Sequence, residues 1–115
     1  MSSVKDPLIF MRHVKASIDK INSFVKGFTK EEFMKDELRK SAVVREIEVI
    51  GEAVKNTPHA FLSKYPGTDW KSIAGTRDKI IHHYFGVDYE IVWSIVKDDL
   101  PELDKVITQM LSDSK

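Results

Sequence analysis

Cysteine is absent from the 115 residues. Its absence excludes disulfides and thiolate metal sites, and the chain can fold in a reducing cytosol. A long apolar run is also missing: no stretch approaches the roughly 18 residues a membrane span needs. The first ten residues carry Lys5 and Asp6 and lack the apolar centre of a signal peptide. A cytoplasmic protein with no membrane partner is therefore expected. Neither sign of charge is in excess, with 18 Lys plus Arg against 18 Asp plus Glu. That balance argues against a nucleic-acid binder working by overall basicity, although a local basic groove remains open. No segment alternates apolar and polar residues over a useful strand length, and no repeat or low-complexity stretch occurs. A glycine-rich phosphate loop is missing too, because Gly75-Thr76-Arg77 lacks the spacing and the lysine. The length predicts a single domain over residues 1–115 with one core.

What is present is a helical rhythm. Met11, Val14, Ile18, Ile21, Val25 and Phe28 recur in steps of three and four, which makes one apolar helix stripe. Asp6 is placed to cap that helix, with Pro7 at its first position and Gly27 as its stop. Thr29 and Glu32 form a capping-box pattern. The helix they open is expected to run to about Lys55, kinked near Lys40-Ser41, with Phe33, Leu38, Ile47, Ile50 and Val54 on its apolar face. Asn56-Thr57-Pro58 ends it. A short turn follows over Pro58 to Tyr65, then a helix from about Trp70 to Tyr84, capped by Asp69 and ended by Gly86. The last helical stretch carries Tyr89, Val92, Val96, Leu100, Leu103, Ile107 and Met110. Pro101 divides that stretch or starts a new helix near Asp99. The fold class expected is all-α, an antiparallel bundle of four to five helices. Trp70 and Trp93 are expected to anchor its core.

Chemistry concentrates in Arg77-Asp78-Lys79-Ile80-Ile81-His82-His83-Tyr84. A guanidinium can hold a phosphodiester oxygen and stabilise charge as the phosphorus becomes pentavalent. An imidazole can move a proton near neutral pH, and a phenol can accept a modifying group. RNA supplies its own nucleophile, the 2′-hydroxyl, so one cation and one proton carrier can cleave it without metal or other cofactor. The products would be a 2′,3′-cyclic phosphate and a 5′-hydroxyl. On a straight helix, however, Arg77 and His82 diverge by roughly 140°. Bringing them together needs a long arginine reach, a distorted helix end or a second subunit, and a two-fold dimer is the favoured solution. Asp78, four residues before His82, is placed to orient its imidazole. By spacing alone, a solvated face with salt bridges is the commoner explanation of such a helix.

Arg77-x4-His82-x-Tyr84 resembles the Arg-x4-His-x-Tyr signature of HepT-like proteins, a branch of the HEPN domains. The likeness extends upstream to Arg45-Glu46-Ile47-Glu48-Val49-Ile50-Gly51-Glu52-Ala53 and Trp70-Lys71-Ser72-Ile73-Ala74-Gly75. Downstream it takes in Val87-Asp88-Tyr89, Trp93 and Asp99-Leu100-Pro101. Asp78 stands where many relatives carry asparagine, and its charge would oppose a phosphate.

The resemblance implies an all-α homodimer acting as a metal-independent RNase toxin, with the arginine and histidine in a cleft at the dimer interface. It implies a partner, a minimal nucleotidyltransferase of the MntA type, that silences the toxin by transferring AMP to the motif tyrosine. Carried over, Arg77 and His82 are the catalytic pair, Tyr84 is the acceptor, and RNA is the substrate. Adenylate at Tyr84 would block the groove and pair with Arg77. Asp78, His83 and Glu52 are candidate supporting residues, although His83 by itself reads as an ordinary surface or interface residue. Gly51, costly inside a helix by about 1 kcal/mol, points to close helix approach. Glu48 and Glu52 share a face, with Arg45 and Lys55 in reach for salt bridges. His13 and His59 read as isolated surface residues. The rival reading is a noncatalytic helical subunit that binds a nucleotidyltransferase and presents substrate to it.

Overall fold

A computed structural model describes residues 6–82 and 86–114 of the chain. Helix α1 spans Pro7–Val25, and the Asp6 carboxylate accepts from the Leu8 amide at 2.9 Å. Its stripe of Met11, Val14, Ile18, Ile21 and Val25 is buried. Gly27 ends the exit turn at φ +78°, a left-handed conformation that glycine adopts without steric cost. Helix α2, Lys30–Lys35, opens on a complete capping box: Thr29 Oγ1 accepts from the Glu32 amide, and Glu32 Oε1 accepts from the Thr29 amide. Such caps contribute about 1 kcal/mol.

The expected helix from Thr29 to Lys55 is interrupted, and earlier than its predicted kink. Asp36 leaves helical geometry, and its carboxylate accepts from the Arg39 amide to cap α3, Glu37–Asn56. Arg39 closes the junction. Its Nε donates to the Phe24 carbonyl, an Nη donates to Asp36, and its guanidinium lies 4.3 Å from the Phe28 ring centre. Lys40 is buried behind this joint, donating to the Met34 carbonyl and lying over the Tyr89 ring. Leu38 is not part of the apolar face and is 79% exposed. It precedes the buried Ile47 by nine residues, half a rotation away at about 100° per residue.

Helix α4 is the short turn His59–Leu62. Helix α5, Trp70–Ala74, is capped by Asp69, and α6 is Thr76–Ile80. The strands β1, Ile81–His82, and β2, Gly86–Val87, form a two-residue antiparallel ladder. Helix α7, Tyr89–Ser94, passes through a π turn, Ile95–Asp99, into α8, Leu100–Asp113. Pro101 explains the π turn. It has no N–H to donate to the carbonyl four residues back, and the adjacent Leu100 amide bonds to Ile95, five residues back. The rod therefore continues through the proline, and Asp99 makes no side-chain cap there.

The described helices form an all-α, antiparallel HEPN-like bundle of four rods: α1, α3, the broken α5–α6 pair and the run from α7 to α8. Helix α1 packs on α3 and α8, and Lys15 pairs with Asp104 of α8 at 2.8 Å. The two tryptophans are half-buried at the edge of the core rather than within it. Trp93 lies against the fully buried Phe33 ring, and Trp70 Nε1 donates to the Tyr65 carbonyl.

Candidate functional site

The motif segment is not one helix. Gly75 closes α5, with its amide bonded to the Lys71 carbonyl. The buried Thr76 hydroxyl donates to the Ile73 carbonyl at 2.7 Å, satisfying α5's end and fixing the start of α6. Helix α6 then stops at Ile80. Ile81 is extended, at φ −101° and ψ 115°, and pairs with Val87, while His82 pairs with Gly86. The Asp88 amide bonds to the Ile80 carbonyl at 2.6 Å. Gly86, at φ +76°, is a strand residue and not a helix stop. β-Branched Ile80 and Ile81 suit this change from helical to extended backbone.

This overturns the helical-wheel geometry. Arg77 lies on α6 and His82 on β1, so a straight-helix separation does not describe them. For the same reason Asp78 and His82 are not neighbours on one helix face, and the expected orienting role of Asp78 loses its geometric basis. Asp78 is exposed. For His82 the backbone alone is described, whereas His83 and Tyr84 lie outside the described residues.

Arg77 opens onto a cleft of about 460 Å³ among α1, α3, α5 and α6, lined also by Arg45, Glu48, Glu52, His13 and Asn56. Its Nε forms an ion pair with Glu48 Oε2 at 3.0 Å. The Arg77 side chain is 69% exposed and that of Glu48 34%. Close packing sets this approach. A Cβ added at Gly51 would stand 3.3 Å from the Ile73 carbonyl oxygen and 3.4 Å from that of Ala74. The glycine lets α3 and the end of α5 nearly touch, and α6 begins two residues beyond. The expected close approach at Gly51 is thus to a neighbouring helix of the same chain.

The cleft brings Arg77 and Glu52 together. It also contains residues to which sequence reasoning gave no place in the site. Glu48 pairs with Arg77 across two helices, instead of with Arg45 or Lys55 on its own. The spacing of Arg45, Glu48 and Glu52 on one helical stripe was a usable signal. His13 lines the same cleft from α1, although nothing in its sequence surroundings marks it. On the other side of α3 lies a second cavity of about 520 Å³, floored by Ile47, Ile50 and Leu103 and rimmed by Asp98, Asp99 and Glu102. Arg77 has no part in it. No described helix is long and apolar enough to cross a membrane. Among the described residues no group of three or more His, Asp or Glu side chains is placed to hold a metal ion.

The chain, an all-α bundle whose motif arginine stands on a broken helix beside a polar cleft, matches the family described as Ribonuclease HepT-like over residues 14–110. The chain belongs to that family. It is 45% identical over 109 residues to "Putative RNase MJ0127" of Methanocaldococcus jannaschii, covering 95% of this chain and 90% of that one. It is 42% identical over 112 residues to "Putative RNase TTE0752" of Caldanaerobacter subterraneus subsp. tengcongensis, covering 97% of this chain and all of that one. A third relative, "Probable ribonuclease HepT" of Thermococcus cleftensis, is 39% identical over 94 residues, covering 82% and 86% of the two chains. No solved structure matches.

Proposed function

We propose that the chain is a single-domain, metal-independent endoribonuclease, the toxin of a toxin–antitoxin pair that acts in the cytoplasm. Arg77 holds the scissile phosphate and steadies the added charge of the pentavalent state. His82 takes the proton of the 2′-hydroxyl as the 2′-oxygen bonds to phosphorus. The bond from phosphorus to the 5′-oxygen breaks, and that oxygen takes a proton from the His82 imidazolium or from water, which restores the neutral histidine. The products are a 2′,3′-cyclic phosphate and a 5′-hydroxyl. Two copies of the chain form the active dimer, each contributing its motif to a shared groove. Glu52 and His83 support that groove, and Asp78 flanks Arg77 without orienting His82. A minimal nucleotidyltransferase silences it by attaching AMP to Tyr84, which adds negative charge and bulk beside Arg77.

One observation carries this reading. In a member of a ribonuclease family, the motif arginine stands in a polar cleft just before a helix end that releases His82 from helical register. The deciding experiment incubates purified protein with RNA in EDTA, beside an Arg77→Ala/His82→Ala variant. The wild type should yield cyclic-phosphate ends and the variant should not. Equal background cleavage by both would leave the rival reading, a noncatalytic partner of a nucleotidyltransferase. Sedimentation tests the dimer. Mass spectrometry after incubation with a minimal nucleotidyltransferase of the MntA type, ATP and magnesium tests the adenylate at Tyr84.

A further inference from the structure

Glu48 takes no proton and donates none in the chemistry above, yet its carboxylate meets the motif arginine at 3.0 Å. The two partners sit on unlike supports. Helix α3 has 20 residues, and the neighbours Ile47 and Ile50 anchor Glu48's turn in the core. Helix α6 has five residues and follows a break at Gly75. An exposed arginine on so short a helix spreads over many rotamers, and that freedom is lost when it grips a ligand. The contact is made through Nε, the nitrogen nearest the stem. A guanidinium is a rigid planar fork, so holding Nε fixes where the terminal edge with both Nη atoms points. That edge can grip two oxygens of one phosphate.

We propose that Glu48 is a positioning residue that anchors Nε of Arg77 so that the Nη edge is presented to a phosphodiester in the cleft. The proposal rests on Arg77 being the phosphate-binding residue. A carboxylate beside a phosphate site also repels the ligand. Here that repulsion is the smaller effect, because both side chains are partly exposed and solvent screens the charges. The Nε contact, at 3.0 Å, acts over a shorter distance than that repulsion and is screened less.

The test uses the full chain as wild type, Glu48→Ala, Glu48→Gln, Arg77→Ala and Arg77→Ala/Glu48→Ala, each checked for an unchanged thermal midpoint. Cleavage is followed in single turnover with RNA in EDTA, and binding with the same RNA 2′-O-methylated so that it cannot react. Glu48→Ala should slow cleavage about tenfold while binding changes less than about threefold, since misplacing a catalytic group costs rate more than affinity. Glu48→Gln keeps an oxygen acceptor for Nε and should recover most of the rate. With Arg77 already gone, removing Glu48 should have no further effect. Faster cleavage by Glu48→Ala would make Glu48 a competitor of the phosphate and overturn the proposal. So would an equal further loss in the Arg77→Ala background. A readout without catalysis separates this from the cleavage reading. The Arg77 Nε–H resonance should be sharp in wild type and Glu48→Gln and broadened in Glu48→Ala. An identical resonance in all three overturns the positioning role, whatever the RNA assay gives. A Glu48-dependent resonance in a protein that cuts no RNA would overturn the cleavage reading alone.

Discussion

Helix α3 and the segment from Gly75 to Val87 meet at the same cleft and are built in opposite ways. Over 20 residues α3 buries one face, including Val43, Ile47, Ile50 and Val54, and turns Arg45, Glu48 and Glu52 outward. The described residues of the motif segment change conformation repeatedly. The segment has a helix of five, a two-residue ladder and a glycine at positive φ, and its Arg77 is largely in solvent. One region is stabilised by burial along a whole face, and the other by hydrogen bonds at its breaks with Ile80 as its fully buried anchor. A residue that must reach a ligand belongs on the second kind of support, and one that must aim it belongs on the first. The Arg77–Glu48 pair joins the two.

If that division holds, stability and activity should come apart. Phe33 is fully buried against Trp93 at the foot of the frame. Phe33→Ala should cost about 3–5 kcal/mol of folding stability. Thermal unfolding would show it as a large drop in midpoint, and activity would fall only in step with the folded fraction. Arg77→Ala should do the reverse. Its ion pair is exposed and contributes about 0–1 kcal/mol to folding, so the midpoint should barely move. RNA cleavage should fall about 10²–10³-fold, the usual loss on removing one donor from a developing oxyanion. If the arginine variant unfolds early, or the phenylalanine variant stays folded and inactive, the division is wrong.

The frame was legible because its information is periodic. The stripe from Met11 to Val25 and the caps at Asp6, Thr29 and Asp69 appear in the structure as read, since each depends on residues within one or two turns. The motif segment was legible in composition and not in shape. Gly86 read as the stop of one helix running through Gly75, yet Gly75 ends α5 early and Gly86 pairs with His82 in a ladder. Helical periodicity says nothing about a ladder of two residues. Leu38 failed for the converse reason: its apolar side chain suggested the core, whereas its phase along α3 faces solvent. Glu48 and His13 needed the tertiary approach of α3 and α1 to be placed in the cleft, and Gly51 was the one local sign that such an approach occurs.

Gly51→Ala sharpens the comparison at the contact itself. Alanine favours the helix by about 1 kcal/mol. Its Cβ would meet two backbone carbonyls at 3.3 and 3.4 Å, so the end of α5 must retreat by a few tenths of an ångström. The two effects oppose each other, and the net stability change should stay within about 1 kcal/mol. The retreat carries α6 with it, so cleavage should drop by about tenfold while the thermal midpoint hardly changes. A variant with full activity would mean that the spacing of α3 and α5 does not set the position of Arg77.

The smallest effect concerns the other break in the chain, at Asp36. There a carboxylate, not a glycine, interrupts the helix, so this joint should titrate while the Gly75 joint should not. The bonds Asp36 accepts from the Arg39 backbone and side chain hold its carboxyl below the ordinary carboxylate range. A lowered folded-state pKa means the unfolded chain takes up the proton first. The stabilisation is therefore complete above the ordinary aspartate value, about 3.9, and is lost as pH falls through the lower folded value. Asparagine caps helices as well as aspartate does but carries no charge for Arg39. Asp36→Asn should lower the thermal midpoint slightly at pH 7 and flatten its fall below about pH 4. Thermal unfolding of the two proteins between neutral and acid pH measures both. Parallel curves would show that the α2–α3 joint is held without help from a titrating group, as the Gly75 joint is.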